Sequence, residues 1–121
     1  AIAIKLLLVG RDAPASLVVA VGAAISSVRP EVLSSRLRIV LTCDARLELE
    51  KVTVPMLFIQ PRQDRLVGLD RLDEMQRIRT SASVAIVSGP HLFIQREPEK
   101  AAELVAKFAR QCIPPAKSDS R

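Results

Sequence analysis

The sequence predicts an α/β fold in which a helical segment over residues 1–51 is followed by a parallel βαβα unit over residues 52–113 and a polar tail over residues 114–121. Three observations predict it. Val54 to Ile59 reads VPMLFI, a short continuous apolar run with prolines at positions 55 and 61; this is the pattern of a strand buried on both faces, as parallel strands are. Val84 to Val87 is a second run rich in β-branched residues. Between them Leu69, Leu72, Met75 and Ile78 recur at three-residue steps, the spacing of one face of an amphipathic helix. A strand, helix, strand connection of this length predicts a right-handed crossover that leaves the two strands parallel and adjacent.

The first fifty residues read differently. Ile2 to Val9 is an apolar run interrupted by Lys5, well under the roughly 20 residues a membrane span needs, and is expected in a core. Gly10, Arg11 and Asp12 predict a turn rather than a phosphate loop, because the glycine spacing of such a loop is missing. A helix is expected from Pro14, since proline tolerates a first turn, burying Leu17, Val21, Ile25 and Val28 and stopping at Pro30. A second starts at Pro30 and Glu31, with Leu33, Leu37, Val40 and Leu41 on one face. A third, short helix is expected with Asp44 as N-cap and Leu47 facing inward. At the other end, Ala101, Leu104, Val105 and Phe108 follow Pro98 at helical spacing, and Pro114 and Pro115 end that helix. The tail from Ala116 is expected to fray.

Composition narrows the function classes. The apolar content is 49% and nearly all aliphatic, with three Phe and no Trp or Tyr, so the stacking platforms of single-stranded nucleic-acid binders are missing. The formal charge is +5, but Lys and Arg outnumber Asp and Glu by only seven to five in residues 1–54 and by eleven to eight in residues 55–121. An excess spread in this way is a solvated surface, and no nucleic-acid or membrane partner is expected. Cys43 and Cys112 lie far apart without a CxxC or metal-ligand spacing and no leader-like segment is apparent, so a reducing cytoplasm is expected. The chain opens at Ala1 without a Met, which is read as a trimmed or processed product.

Chemistry concentrates at two positions. Asp64 lies five residues past Ile59 and His91 four past Val87, so both fall in loops at the C-terminal edge of the expected sheet, where open α/β sheets place their ligands. Adjacent parallel strands run about 4.8 Å apart, close enough for the carboxylate and the imidazole to meet. An aspartate that accepts from one ring nitrogen fixes the tautomer and leaves the other nitrogen free to take a proton. Taken singly, Asp64 also reads as a loop carboxylate paired with Arg62 or Arg65, and His91 as a hydrogen-bonded loop histidine.

The same residues carry a resemblance. VPMLFIQPRQDRLV, residues 54–67, resembles the segment of α/β-hydrolases that bears the acid of the catalytic triad. SGPHLFIQREPEKAAELVAKFA, residues 88–109, resembles the segment that bears the triad histidine and the final helix. On this resemblance Asp64 falls on the acid and His91 on the histidine, and Pro98 and Glu99 fall on the pair that opens the last helix. The helices of residues 13–51 resemble, more weakly, the cap inserted before the acid-bearing strand. Pro61 and Pro90 stand where glycine is common in the family. The largest departure is that the G-x-S-x-G nucleophile elbow occurs nowhere in the chain, and the oxyanion-hole loop is missing too. Ser16, Ser26, Ser27, Ser34 and Ser35 fall in helices or at helix junctions without flanking glycines, and do not replace it. Cys43, beside Leu41 and Thr42, reads as a small buried residue and Cys112 as a packing or exposed thiol.

The resemblance implies the C-terminal part of a serine hydrolase acting on an ester or similar acyl bond, with catalytic residues His91 and Asp64 and a small-molecule acyl substrate. It implies no metal and no organic cofactor. The alternative is a non-catalytic hydrolase-like domain used in protein association. On either reading the strand over Met56 to Ile59 lacks one neighbour, so an upstream hydrolase segment or a second copy is expected to cover it. In the intact enzyme Leu17, Val21, Leu33 and Leu37 would line an acyl pocket or pack beneath it.

Overall fold

A computed structural model describes residues 2–113. The chain opens with a π-helical segment, Ile4–Val9, followed by α1 (Ala15–Ser26), α2 (Pro30–Thr42), α3 (Arg46–Lys51), β1 (Leu57–Pro61), α4 (Leu69–Ile78), β2 (Ser83–Val87), α5 (Phe93–Arg96) and α6 (Pro98–Cys112). The expected ends at Pro114 and Pro115, and the tail beyond them, lie outside the described residues. β1 and β2 pair in parallel, with Leu57 opposite Ser83 and Pro61 opposite Val87. The α/β pattern is therefore present as a helix-rich chain around a two-stranded parallel sheet.

The register explains why β1 accepts a proline. Ser83 N–H donates to Met56 O and Arg62 N–H to Val87 O, so the even-numbered residues of β1 bond toward β2. Pro61 is odd-numbered, and the donor it lacks would have pointed to the other edge, where proline costs the ladder nothing. The strand accordingly runs to Pro61, two residues past Ile59, and starts after Pro55 instead of at Val54. α4 forms where its periodicity predicts it and buries Leu72. In α6 Pro98 occupies the first turn with Glu99 beside it, and Arg110 lies in the last turn; both charges complement the helix dipole. Ala101 is buried and Leu104 and Phe108 are half-buried, while Val105 is exposed.

The helical segment before β1 departs more from expectation. Pro14 does cap α1 and Pro30 does open α2, but α1 is rotated so that Val18 is the buried residue, Leu17 and Val21 are half-buried and Ile25 is exposed. The reason is its partner: Val9, Ala13 and Val18 form a cluster with Ile4, Leu8 and Leu92 packed around it. On α2 no residue is buried; Leu33 is half-buried, whereas Leu37, Val40 and Leu41 are exposed, with none of the described elements covering them. α3 begins at Arg46 with Ala45 as its N-cap. Asp44 instead receives the Arg46 backbone N–H and side chain, and Leu49, not Leu47, is the inward residue.

No single helix among the described residues is long and apolar enough to cross a membrane; α1 and α2 reach that composition only together and meet at 98°. Two elements are missing from the sequence reading: the N-terminal helical segment Ile4–Val9, expected only as an apolar core run, and α5, a single turn that buries Phe93 to 2% exposure. Phe93→Ala is expected to cost about 3–5 kcal/mol, the range for removing a buried aromatic. A urea midpoint measured at fixed protein concentration, with unchanged slope, checks it.

Candidate active site

The parallel ladder does not stop at the strand ends. Arg62 N–H donates to Val87 O at 2.8 Å and Gln63 N–H to Gly89 O at 3.0 Å, while the Gln63 side-chain carbonyl accepts the Gly89 N–H. These bonds zip the two loops together beyond the sheet. Asp64 follows on one loop and His91 on the other. Gly89 has a φ of +153°, and a Cβ there would stand 2.9 Å from the Phe93 ring, so the turn into His91 is fitted to glycine.

The outcome is a direct hydrogen bond: His91 Nδ1–H donates to Asp64 Oδ2 at 2.9 Å. The other carboxylate oxygen, Oδ1, accepts the backbone N–H groups of Leu66 at 2.8 Å and Val67 at 2.9 Å. Asp64 is thereby held by its own loop and presents one oxygen to the imidazole. Its side chain is 6% exposed, against 31% for His91. Asp64 forms no ion pair with Arg62 or Arg65. With Nδ1 carrying the proton, Nε2 keeps its lone pair, and it has no hydrogen-bond partner among the described residues.

Burial acts to raise the Asp64 carboxyl pKa, but the Val67 amide, the His91 hydrogen bond and the Leu66 amide together outweigh it and leave the group below the ordinary carboxylate value. A carboxyl depressed on folding adds stability above its unfolded pKa, and that stability is lost as pH falls through the folded value. Acid titration of Asp64→Asn is therefore expected to lack a destabilising step that the parent chain shows below the ordinary carboxylate range, as read by urea midpoints at successive pH values.

Residues that spacing did not reveal brace this edge. Gln60, buried to 5%, donates its amide to Val67 O at 2.9 Å and fixes the end of the Asp64 loop. Arg96 donates to Val9 O and grips both oxygens of Asp12, holding that carboxyl at a pKa of about 2. Leu92 N–H donates to Leu8 O at 2.8 Å, so the segment after His91 is pinned to the N-terminal helix. A polar residue inside the run VPMLFIQP was the one available signal, for Gln60; Asp12 and Arg96 lie 84 residues apart and gave none.

The other candidate nucleophiles lie elsewhere. The five serines sit on α1, at its C-cap or on α2. Cys43 is exposed, not buried as its neighbours suggested, and Cys112 is exposed as well. Among the described residues no group of three His, Cys, Asp or Glu side chains is placed to hold a metal ion. What the arrangement can do is accept a proton at Nε2 and stabilise the resulting imidazolium through Asp64. No family model matches the chain, and neither curated proteins nor solved structures give a match.

Proposed function

We propose that this chain supplies the acid and the base of an α/β-hydrolase-type serine hydrolase, with His91 as general base then acid and Asp64 as its orienting carboxylate. One observation carries the reading: Asp64 and His91, 27 residues apart, meet through Nδ1 at 2.9 Å at the C-terminal edge of two parallel strands. The tautomer this enforces is the one that base catalysis at Nε2 requires. The bond attacked is an ester or similar acyl bond, by a serine that lies outside these 121 residues.

The test uses the intact gene product. An upstream G-x-S-x-G is expected, with its serine labelled by a fluorophosphonate in the parent protein and not in His91→Ala. An intact product without such an elbow, or labelling indifferent to His91, overturns the proposal. A second reading, a non-catalytic hydrolase-like domain serving protein association, is favoured by the missing G-x-S-x-G, and an open reading frame that starts just before Ala1 would support it.

A further inference from the structure

Beside the Asp64 and His91 loops lies a cavity of about 450 Å³, bounded by the N-terminal helix, the Gly10 turn, the loops after β1 and β2, and the start of α6. Its lining includes Gln63 and Arg65 next to Asp64, and Gly89 and Pro90 next to His91, but neither member of the pair itself. The wall is strongly basic: Lys5, Arg11, Arg65, Arg96 and Lys100 face it, against only Asp12 and Glu97.

Two of these cations are already matched, Arg96 by Asp12 and Lys100 by Glu97 at 2.8 Å. Lys5, Arg11 and Arg65 have no ion-pair partner among the described residues. Lys5 and Arg11 come from the N-terminal helix and the turn after it, and Arg65 from the loop after β1, so the fold brings two segments distant in sequence together at this wall. Collecting like charges on one concave wall costs Coulomb energy, and such a cleft concentrates the field that attracts a counter-ion.

We propose that this cavity binds the phosphate group of a small phosphorylated molecule. Three cations on one wall, two from the N-terminal segment and one from the loop after β1, suit a tetrahedral dianion with several acceptor oxygens better than a planar carboxylate, which one arginine fork would satisfy. Ser88 and Gln63 add neutral polar residues to the lining. The volume falls in the range of small-molecule sites and exceeds what a bare phosphate needs, leaving room for an organic remainder. Recognition here is by side chains, in keeping with the absence of a phosphate-loop motif. Binding of this kind does not depend on the hydrolase reading, since no lining residue belongs to the proposed acid and base pair.

Isothermal titration calorimetry of the full chain with inorganic phosphate, at ionic strength fixed with chloride, tests it. Saturable binding is expected, weakened about tenfold by Arg11→Gln and again by Arg65→Gln, the loss of one charge-assisted bond each. Arg36→Gln, exposed on α2 and outside the cavity, is expected to leave the affinity unchanged and controls for net charge. Succinate, a dianion whose charges sit on two planar carboxylates, is expected to bind more weakly than phosphate. No saturable heat, equal affinity for succinate, or equal weakening by Arg36→Gln would each overturn the proposal.

Discussion

The 121-residue chain by itself is expected to show no saturable turnover of a p-nitrophenyl ester above buffer, because its Asp64–His91 pair has no nucleophile to serve. Joined to a segment that provides a serine elbow and oxyanion donors, the same pair should account for most of the rate. His91→Ala would then lower kcat by on the order of 10⁴-fold or more, since the hydroxyl loses its base. Asp64→Asn is the more informative variant. The asparagine carbonyl oxygen can still accept the Leu66 and Val67 amides, which Asp64 Oδ1 accepts now, so the loop keeps its form. Its NH₂ group, turned toward Nδ1, would favour the tautomer protonated at Nε2, and a loss of about 10⁴-fold is expected from that change alone. Retained fold with lost rate separates a chemical role for Asp64 from a merely structural one. Saturable turnover by the isolated chain that disappears in His91→Ala would show that one of its own groups is the nucleophile.

The parts of the fold that the sequence made legible are those whose period is decided locally. VPMLFI and Val84 to Val87 are too short and too apolar to be amphipathic helices, and the three-residue recurrence from Leu69 to Ile78 admits a helix, so the parallel pair followed. The meeting of Asp64 and His91 was legible for the same reason: similar short loop offsets, five residues past Ile59 and four past Val87, from two adjacent parallel strands bring the two side chains to one edge. What failed depended on partners. Helical spacing gives several adjacent faces nearly equal apolar weight in ASLVVAVGAAIS, so only contact with Val9 and Ala13 decides that Val18 points inward. Leu37, Val40 and Leu41 form a convincing stripe on α2, yet a stripe states what could be buried and not what is there to bury it. The turn at α5 rests on Phe93 docking beneath Gly89, a tertiary contact without a sequence period.

That unpartnered stripe leads to the expectation that the chain is not a stable monomer. Leu37, Ile39, Val40 and Leu41 are between 57% and 85% exposed, and apart from two prolines only six apolar residues among those described are buried. The whole chain exposes 9337 Å², whereas a compact folded monomer of 13.2 kDa exposes roughly 6,400 Å². The nine residues outside the described range would add roughly 1,300 Å² even if fully extended, well short of the difference. β1 adds a second open surface: Leu57 and Ile59 direct their backbone groups away from β2, toward an edge where the described sheet has no further strand. This edge is apolar and carries no guarding charge; Pro61 removes one donor at its end, and the Leu57 and Ile59 groups still offer a short pairing site. A second copy related by a two-fold axis can cover both surfaces, as can the hydrolase segment proposed to carry the serine. Sedimentation equilibrium is expected to give an average mass above 13.2 kDa that rises with concentration. Val40→Lys, placed where the side chain is 75% exposed in the single chain, should leave the fold intact and shift that rise to higher concentration if α2 is the contact. A single 13.2 kDa species persisting at high concentration without aggregation would show that these surfaces are tolerated uncovered.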